Sequence, residues 1–159
     1  MVMSTNEDLL YYQPDIFDFG IEDYQTEHER AREDILRRLR AEWFQSARQL
    51  NGTSLYNKQI ELLDMRQFVE MDVDRLDEAQ FTRCAVYLCL ADYILPQHTK
   101  WNAPGAEDKF QIMMKHYKSK YDEEFSAILR DGVRDDWDED STFEDHEIHP
   151  INYSGRMFR

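Results

Sequence analysis

The chain has 159 residues, which sets one domain as the default expectation. Hydrophobic residues make up 42% of it and aromatic residues 13%, enough apolar surface to build a core and to exclude a wholly disordered chain. With 33 acidic against 19 basic residues the formal net charge is -14, which repels nucleic acid and excludes a DNA-coating role.

The negative charge is concentrated at the two ends of the chain. Residues 1–23 hold six acids and no Lys or Arg, and residues 133–159 hold eight acids and three Arg, whereas the middle is nearly neutral. We therefore expect three parts: an N-terminal arm at 1–21, a helical bundle domain at 22–132 and an acidic C-terminal arm at 133–159. The predicted fold class is mainly α, a small helical bundle with a buried central helix and extended N- and C-terminal arms.

The N-terminal arm places aromatic side chains among acids without a helical or alternating period. We expect it to be extended and to become ordered on a neighbouring molecule. The side chains predicted to bind that partner are Tyr11, Tyr12, Phe17 and Phe19.

The next segment predicts one long amphipathic helix. From Glu22 to Leu50, apolar or partly apolar positions recur every three or four residues. His28 falls on the apolar face, which favours a core or interface histidine. Residues 53–73 suit either a short helix or an extended segment, and we assign a weak helix to 57–70.

The most apolar segment of the chain runs from Phe81 to Leu95, with Arg83 and Asp92 as its only charges. A helix that is apolar on nearly every side is buried on nearly every side. We therefore predict that this helix is the centre of the bundle and that Pro96 ends it.

A third long helix follows a loop. Apolar side chains recur at helical spacing from Phe110 to Leu129, and the pattern predicts a helix that ends at Asp131. Gly132 is placed to form its left-handed C-terminal cap.

Catalytic chemistry has little support in the sequence. The two cysteines, Cys84 and Cys89, lie five residues apart in the central helix, where they cannot bridge and are expected to be inert, as in a reduced intracellular protein. The first residues lack the basic start and apolar run of a secretory signal, and no apolar run is long enough for a bilayer, so we expect a soluble, untargeted protein. It also lacks a nucleophile elbow and a phosphate-binding glycine loop, so we predict that it is not an enzyme.

One run in the acidic arm is similar to a twelve-residue calcium loop that starts at residue 136. Position six of such a loop is glycine, for its sharp turn, and here it is Ser141. The alternative is an acidic run with aromatic anchors. We expect no cofactor, and calcium is the one ion left open; its candidate ligands are Asp136, Asp138, Asp140, Thr142 and Glu147.

The last nine residues reverse the acidic trend of the C-terminal arm. Aromatic and Arg side chains dominate interface energies, so this segment is predicted to dock on a partner. The alternative is weak docking on the protein's own acids. The residues concerned are Tyr153, Arg156, Phe158 and Arg159.

Together these segments resemble the small helical head-to-tail adaptor, or connector, proteins of tailed bacteriophages. The resemblance is one of layout and covers most of the chain. Its features are the DIFDFGIEDY segment at 15–24, the charged helix to Leu50, the LDEAQFTRCAVYL segment at 76–88, the YKSKYDEEF segment at 117–125 with the acidic run after it, and the ending from Arg156 to Arg159.

The resemblance implies a structural protein of the virion neck, assembled in the host cytoplasm and without catalysis or a membrane. Its partners would be other copies of itself in a dodecameric ring, the portal protein, and a tail or stopper/collar protein. DNA would pass through the ring without specific binding, which suits a net negative protein. The alternative is a small acidic regulatory or DNA-mimic binding protein, whose acids should form one contiguous face.

Overall fold

The structure is a computed structural model that describes residues 3–19, 23–44, 71–99, 108–136 and 142–143, with the side chain of Phe19 left aside. Its described residues are mainly α-helical, which confirms the predicted fold class at that level. They contain no β-strand, and their one extended pairing is an isolated antiparallel bridge between Leu76 and Asp135. None of the helices in these ranges combines the length and apolar character needed to cross a membrane.

The described residues form five α-helices, and short 3₁₀ or π segments adjoin some of them. They are α1 (Asn6–Tyr12), followed by the 3₁₀ turn Pro14–Phe19; α2 (Gln25–Leu39), continued by the π segment Arg40–Phe44; α3 (Thr82–Leu88), between the 3₁₀ turn Glu78–Phe81 and the π segment Cys89–Ile94; α4 (Leu95–His98); and α5 (Lys109–Asp131).

The chain divides into two compact units, each made of two stretches of sequence. The first unit consists of Met1–Leu36 and Glu78–Arg130, and the second of Arg37–Asp77 and Asp131–Arg159. The expected boundary between arm and bundle, at residues 21 and 22, lies inside the first of these stretches.

The N-terminal segment differs from the predicted extended arm. It forms α1 and a 3₁₀ turn, and it buries Met3, Leu9 and Ile16 at 2%, 0% and 0% exposure. The sequence shows no helical period here because a seven-residue helix followed by a tighter turn does not keep one spacing of apolar residues for long enough.

Helix α2 agrees with the predicted amphipathic helix over most of its length, although it begins at Gln25 rather than Glu22. Its apolar positions Ala31, Ile35 and Leu39 are fully buried. Residues 45–50 of the predicted helix and the weak helix at 57–70 lie outside the described residues.

The central segment, residues 78–98, is helical throughout and buried as predicted, with ten of its residues from Phe81 to Leu95 fully or nearly fully shielded from solvent. Pro96 does not end it, contrary to expectation. The Leu95 N–H donates to the Leu90 carbonyl and closes the π segment, and Pro96 then stands in the first turn of α4. Pro96 lacks an N–H and donates to no carbonyl, but the helix continues past it, and the Thr99 N–H still donates to the Leu95 carbonyl at 3.2 Å.

Helix α5 ends at Asp131, and Gly132 follows with φ of 107°. This is the glycine cap that the sequence predicted.

The described part of the second unit is small and joins two distant stretches of chain. Beside the Leu76–Asp135 bridge, the Asp77 N–H donates to the Arg134 carbonyl at 3.2 Å and the Asp136 N–H donates to the Arg75 carbonyl at 3.0 Å. The Arg134 guanidinium also lies 2.9 Å from the Asp77 carboxylate.

Candidate interaction site

The chain forms α1 locally because Thr5 and Asp8 cap each other at its start. The Thr5 N–H and hydroxyl both donate to Asp8 Oδ2 at 2.8 Å, and the Asp8 N–H donates back to Thr5 Oγ1 at 3.4 Å. This capping box satisfies donors that a helix start leaves free, and the carboxylate also favours the positive end of the helix dipole. A helix of seven residues is unstable alone in water, so α1 depends on what it packs against.

The inner face of the N-terminal segment is held by apolar burial. Leu9 and Ile16 are fully buried, which contributes about 2 kcal/mol for each side chain. The hydroxyl of Tyr24, just before α2, donates to the Ile16 carbonyl at 3.3 Å. The Phe17 ring lies 5.4 Å from the Tyr24 ring between centroids. The 3₁₀ turn is therefore fixed to the start of α2.

A chain of polar contacts, buried at Ser4 and His28, fastens the same segment to α2. Ser4 Oγ lies 2.7 Å from His28 Nδ1, and His28 Nε2 lies 3.3 Å from Asn6 Oδ1. The amide nitrogen of Asn6 donates to Asp23 Oδ1 at 2.9 Å. Because a carboxylate only accepts, Asp23 turns the Asn6 amide so that its oxygen faces His28. His28 therefore carries its proton on Nε2 and accepts the Ser4 hydroxyl proton at Nδ1.

The environment keeps His28 neutral. Burial lowers its pKa below the ordinary value of 6.5, and the carboxylates of Asp8, Asp23 and Glu27 oppose this by raising it. Ser4 and His28 have the contact of a nucleophile with its base, yet each is 1% exposed. A substrate cannot reach them in this arrangement, so the pair fastens the chain instead of reacting.

An aromatic row connects α1, α3 and α5. The Tyr12 and Tyr87 rings meet edge to face at 5.4 Å, and the Tyr87 ring lies 6.0 Å from that of Tyr117. The Tyr117 hydroxyl donates to Gln13 Oε1 at 3.0 Å. Burial raises the pKa of Tyr87 and of Tyr117, so both remain neutral phenols that pack.

Polar contacts fix α2 to the central segment. Glu78 is 5% exposed and accepts from Arg32, whose Nη2 lies 2.5 Å from Oε1 and whose Nε lies 3.2 Å from both carboxylate oxygens. The Tyr93 hydroxyl donates to the Asp34 carboxylate. Burial first, and then this hydrogen bond, raise the pKa of Tyr93 to about 12. These contacts stabilise the packing of α2 against the central segment.

The outer face of α1 is the most distinctive surface of the described residues. Leu10 is 44% exposed and Tyr11 is 82% exposed, while Leu9 beside them is fully buried. Glu7, one turn earlier, is exposed as well, and so are Pro14 and the acids of the 3₁₀ turn, Asp15 and Asp18. We call this set, Glu7, Leu10, Tyr11, Pro14, Asp15 and Asp18, the acidic face. A firmly anchored helix that presents large apolar side chains among acids is suited to binding another protein.

The predicted partner-binding residues of the N-terminus are separated by the fold. Tyr11 points to solvent, whereas Tyr12 and Phe17 are half-buried against rings of their own chain. The side chain of Phe19 and the four C-terminal residues, Tyr153, Arg156, Phe158 and Arg159, lie outside what the structure describes.

The candidate calcium ligands are described only at Asp136 and Thr142, so the loop stays a prediction. Within the described residues, no three His, Cys, Asp or Glu side chains are grouped closely enough to hold a metal ion. Both cysteines are buried, and burial raises the pKa of the Cys89 thiol to about 12, which disfavours its thiolate.

Sequence reasoning placed His28 in the core but missed its partners Ser4 and Asn6. The signal available was the capping pattern of Thr5 and Asp8, which marks the start of a helix at the N-terminus. Comparison with protein-family models, with curated proteins and with solved structures gives no match to this chain.

Proposed function

We propose that this protein is a structural connector of a tailed-phage virion neck, one copy in a ring that joins the portal to tail components and continues the DNA channel. The observation that supports it most is the acidic face of α1. Leu10 and Tyr11 are exposed on a helix that is fixed by the burial of Leu9 and by the polar contacts of Ser4 and Asn6. Such a surface costs little entropy to immobilise on a partner, since the helix is already ordered.

The charge of the chain suits a channel component. A net charge of -14 keeps DNA from adhering as it passes, whereas a protein that grips DNA presents basic groups to the phosphates. The role needs neither a metal nor a reactive side chain.

The acidic regulator or DNA mimic is the competing function. A mimic needs regularly spaced acids that stand in for phosphates, and its binding weakens steeply with salt. On the acidic face, Glu7 of α1 is separated from Asp15 and Asp18 of the 3₁₀ turn by Leu10, Tyr11 and Pro14, which favours packing against a protein surface. This interleaving is the reason for preferring the connector.

The test is co-sedimentation of the full chain with purified portal rings of the same phage, combined with limited proteolysis. We expect the chain to pellet with the rings and to become resistant to cleavage near its ends. The Tyr11→Ser variant should bind more weakly, and Glu33→Ser, at an exposed position of α2 outside the acidic face, serves as the comparison. If the wild-type chain neither pellets nor gains protection at saturating portal, the proposal fails. Capture by a polycation that is lost at high salt would instead support the mimic.

A further inference from the structure

The N-terminal segment, residues 3–19, covers the imidazole of His28. Both ring nitrogens contact side chains of that segment: Ser4 Oγ lies 2.7 Å from Nδ1, and Asn6 Oδ1 lies 3.3 Å from Nε2. We call the contact of Ser4 and Asn6 with His28 the clasp. Ser4 and His28 are each 1% exposed. The ring therefore reaches water when the N-terminal segment moves away from α2 or when the whole unit unfolds.

The hydrogen bonds of the clasp need a neutral imidazole. Asp23 accepts from the Asn6 amide nitrogen at 2.9 Å, so the Asn6 oxygen faces Nε2 and takes the proton that Nε2 donates. Nδ1 then accepts from the Ser4 hydroxyl. A second ring proton, on Nδ1, would face this hydroxyl as another donor, and the hydroxyl would have to turn away. Protonation therefore takes the acceptor from a buried hydroxyl and also buries a charge.

The charges around the imidazole come from three neighbouring stretches of chain, and they are all carboxylates. Asp8 of α1, Asp23 before α2 and Glu27 of α2 each raise its pKa. The central segment adds neutral groups on this side: Gln97 donates to Glu27 Oε1 at 3.2 Å, and the buried Cys89 thiol also feels the charge of Glu27. Burial outweighs the carboxylates, because the pKa of the imidazole lies below its ordinary value of 6.5.

Opening of the clasp removes both costs of protonation. Once the N-terminal segment leaves, water solvates the imidazolium, and the Ser4 hydroxyl finds an acceptor in solvent. The open state therefore binds the proton more tightly than the closed state, and acid shifts the equilibrium toward it. We propose that the clasp is a proton-sensitive device: uptake of a proton by His28 releases the N-terminal segment from α2 while the other helices of the unit stay folded.

A single proton limits the size of this effect. The open population rises by at most about tenfold for each pH unit below about 6.5, because one group takes up one proton. Contacts that do not depend on pH oppose the release, namely the burial of Leu9 and Ile16 and the hydrogen bond from Tyr117 to Gln13. The open state is therefore a minor state whose population acid increases. The clasp is a property of the fold whether or not the protein is a connector.

Native-state hydrogen exchange of the full chain, followed by NMR from about pH 7.5 to about pH 5, tests the clasp. Dividing each rate by that of an unprotected amide at the same pH gives the opening equilibrium. The Gln13 amide, which donates to the Leu9 carbonyl at 2.8 Å, reports α1, and the amide of buried Phe125 reports α5. Ordinary carboxylates stay largely charged over this range, so the pH dependence reports imidazole.

We expect opening at Gln13 to exceed opening at Phe125 and to increase by up to about tenfold per pH unit below about 6.5. Low concentrations of urea should hardly change opening at Gln13, because a local opening exposes little surface, while they increase opening at Phe125.

Two matched variants assign the pH dependence to one imidazole. His28→Gln should abolish the pH dependence of opening at Gln13, whereas His116→Gln, at an exposed position of α5, should keep the wild-type dependence. Circular dichroism checks that each variant keeps its helices. The wild-type imidazole resonances give a second measurement that needs no variant. His28 should show the Nε2-protonated tautomer and titrate with a midpoint below 6.5.

Four results would overturn the proposal. The first is opening at Gln13 that does not change with pH in the wild-type chain, and the second is an unchanged pH dependence in His28→Gln. The third is exchange at Gln13 that equals exchange at Phe125 at every pH and urea concentration, because the segment would then open only with the whole unit. The fourth is a His28 midpoint at or above 6.5, because the closed state would then favour the proton.

Discussion

Leu9 and Leu10 offer a direct test of whether the N-terminal segment is part of the folded unit. They are adjacent residues of the same type on α1, one fully buried and the other 44% exposed. Leu9→Ala removes about 2.4 kcal/mol of transfer free energy and adds a cavity cost, about 3 kcal/mol in all. Leu10→Ala loses about 1 kcal/mol or less, because much of the side chain is already in water and Ala favours the helix.

Native-state hydrogen exchange at the Gln13 amide is the assay. That N–H donates to the Leu9 carbonyl at 2.8 Å, so it exchanges only when α1 opens or the unit unfolds. A loss of about 3 kcal/mol raises exchange roughly 150-fold, against about fivefold for Leu10→Ala. Thermal unfolding of the same two variants then shows whether α1 opens alone or together with the rest of the first unit.

Equal hydrogen-exchange rates of the Gln13 amide in the two variants would refute this reasoning. If Leu9→Ala and Leu10→Ala change exchange by the same small factor, α1 is a loose arm, as its composition first suggested. The anchored acidic face would then lose its physical basis.

Three further predictions concern the polar contacts and the acidic loop. Lowering the pH from about 7 to 5 should destabilise the protein, because the unfolded state takes up the proton that buried His28 resists, and His28→Gln should flatten this slope. Arg32→Met leaves the Glu78 carboxylate buried without its partner and should cost about 2–3 kcal/mol in urea unfolding, whereas Arg38→Met, at an exposed i,i+4 pair, should cost about 0.3–0.5. Calorimetric titration with calcium chloride should show no saturable heat up to millimolar calcium, since Ser141 replaces the glycine that the loop turn requires.

Each of these has an outcome that contradicts it. An unchanged pH slope in His28→Gln would place the proton uptake elsewhere, with the carboxylates as the remaining source. Equal costs at Arg32 and Arg38 would mean that the buried pair contributes no more than a surface pair. Saturable heat at micromolar calcium would establish the loop despite Ser141, and Asp138→Asn should then abolish that heat.

Local pattern determined most of the helices. The periods of α2 and α5 persist over many turns, and Gly132 stops α5 through its own backbone freedom. The central segment is buried because its composition leaves no polar side to present to water. These features depend on neighbours a few residues away, so a single sequence is enough to predict them.

The tertiary structure alone decided the N-terminal segment and its exposed face. Ser4 reaches His28 across 24 residues, Arg32 reaches Glu78 across 46, and Tyr117 reaches Gln13 across 104. A seven-residue helix gains its stability from such distant contacts, since its own hydrogen bonds barely offset the cost of starting a helix. The packing of remote segments therefore decides that Leu9 is buried and Leu10 exposed. The local sequence alone does not specify this choice.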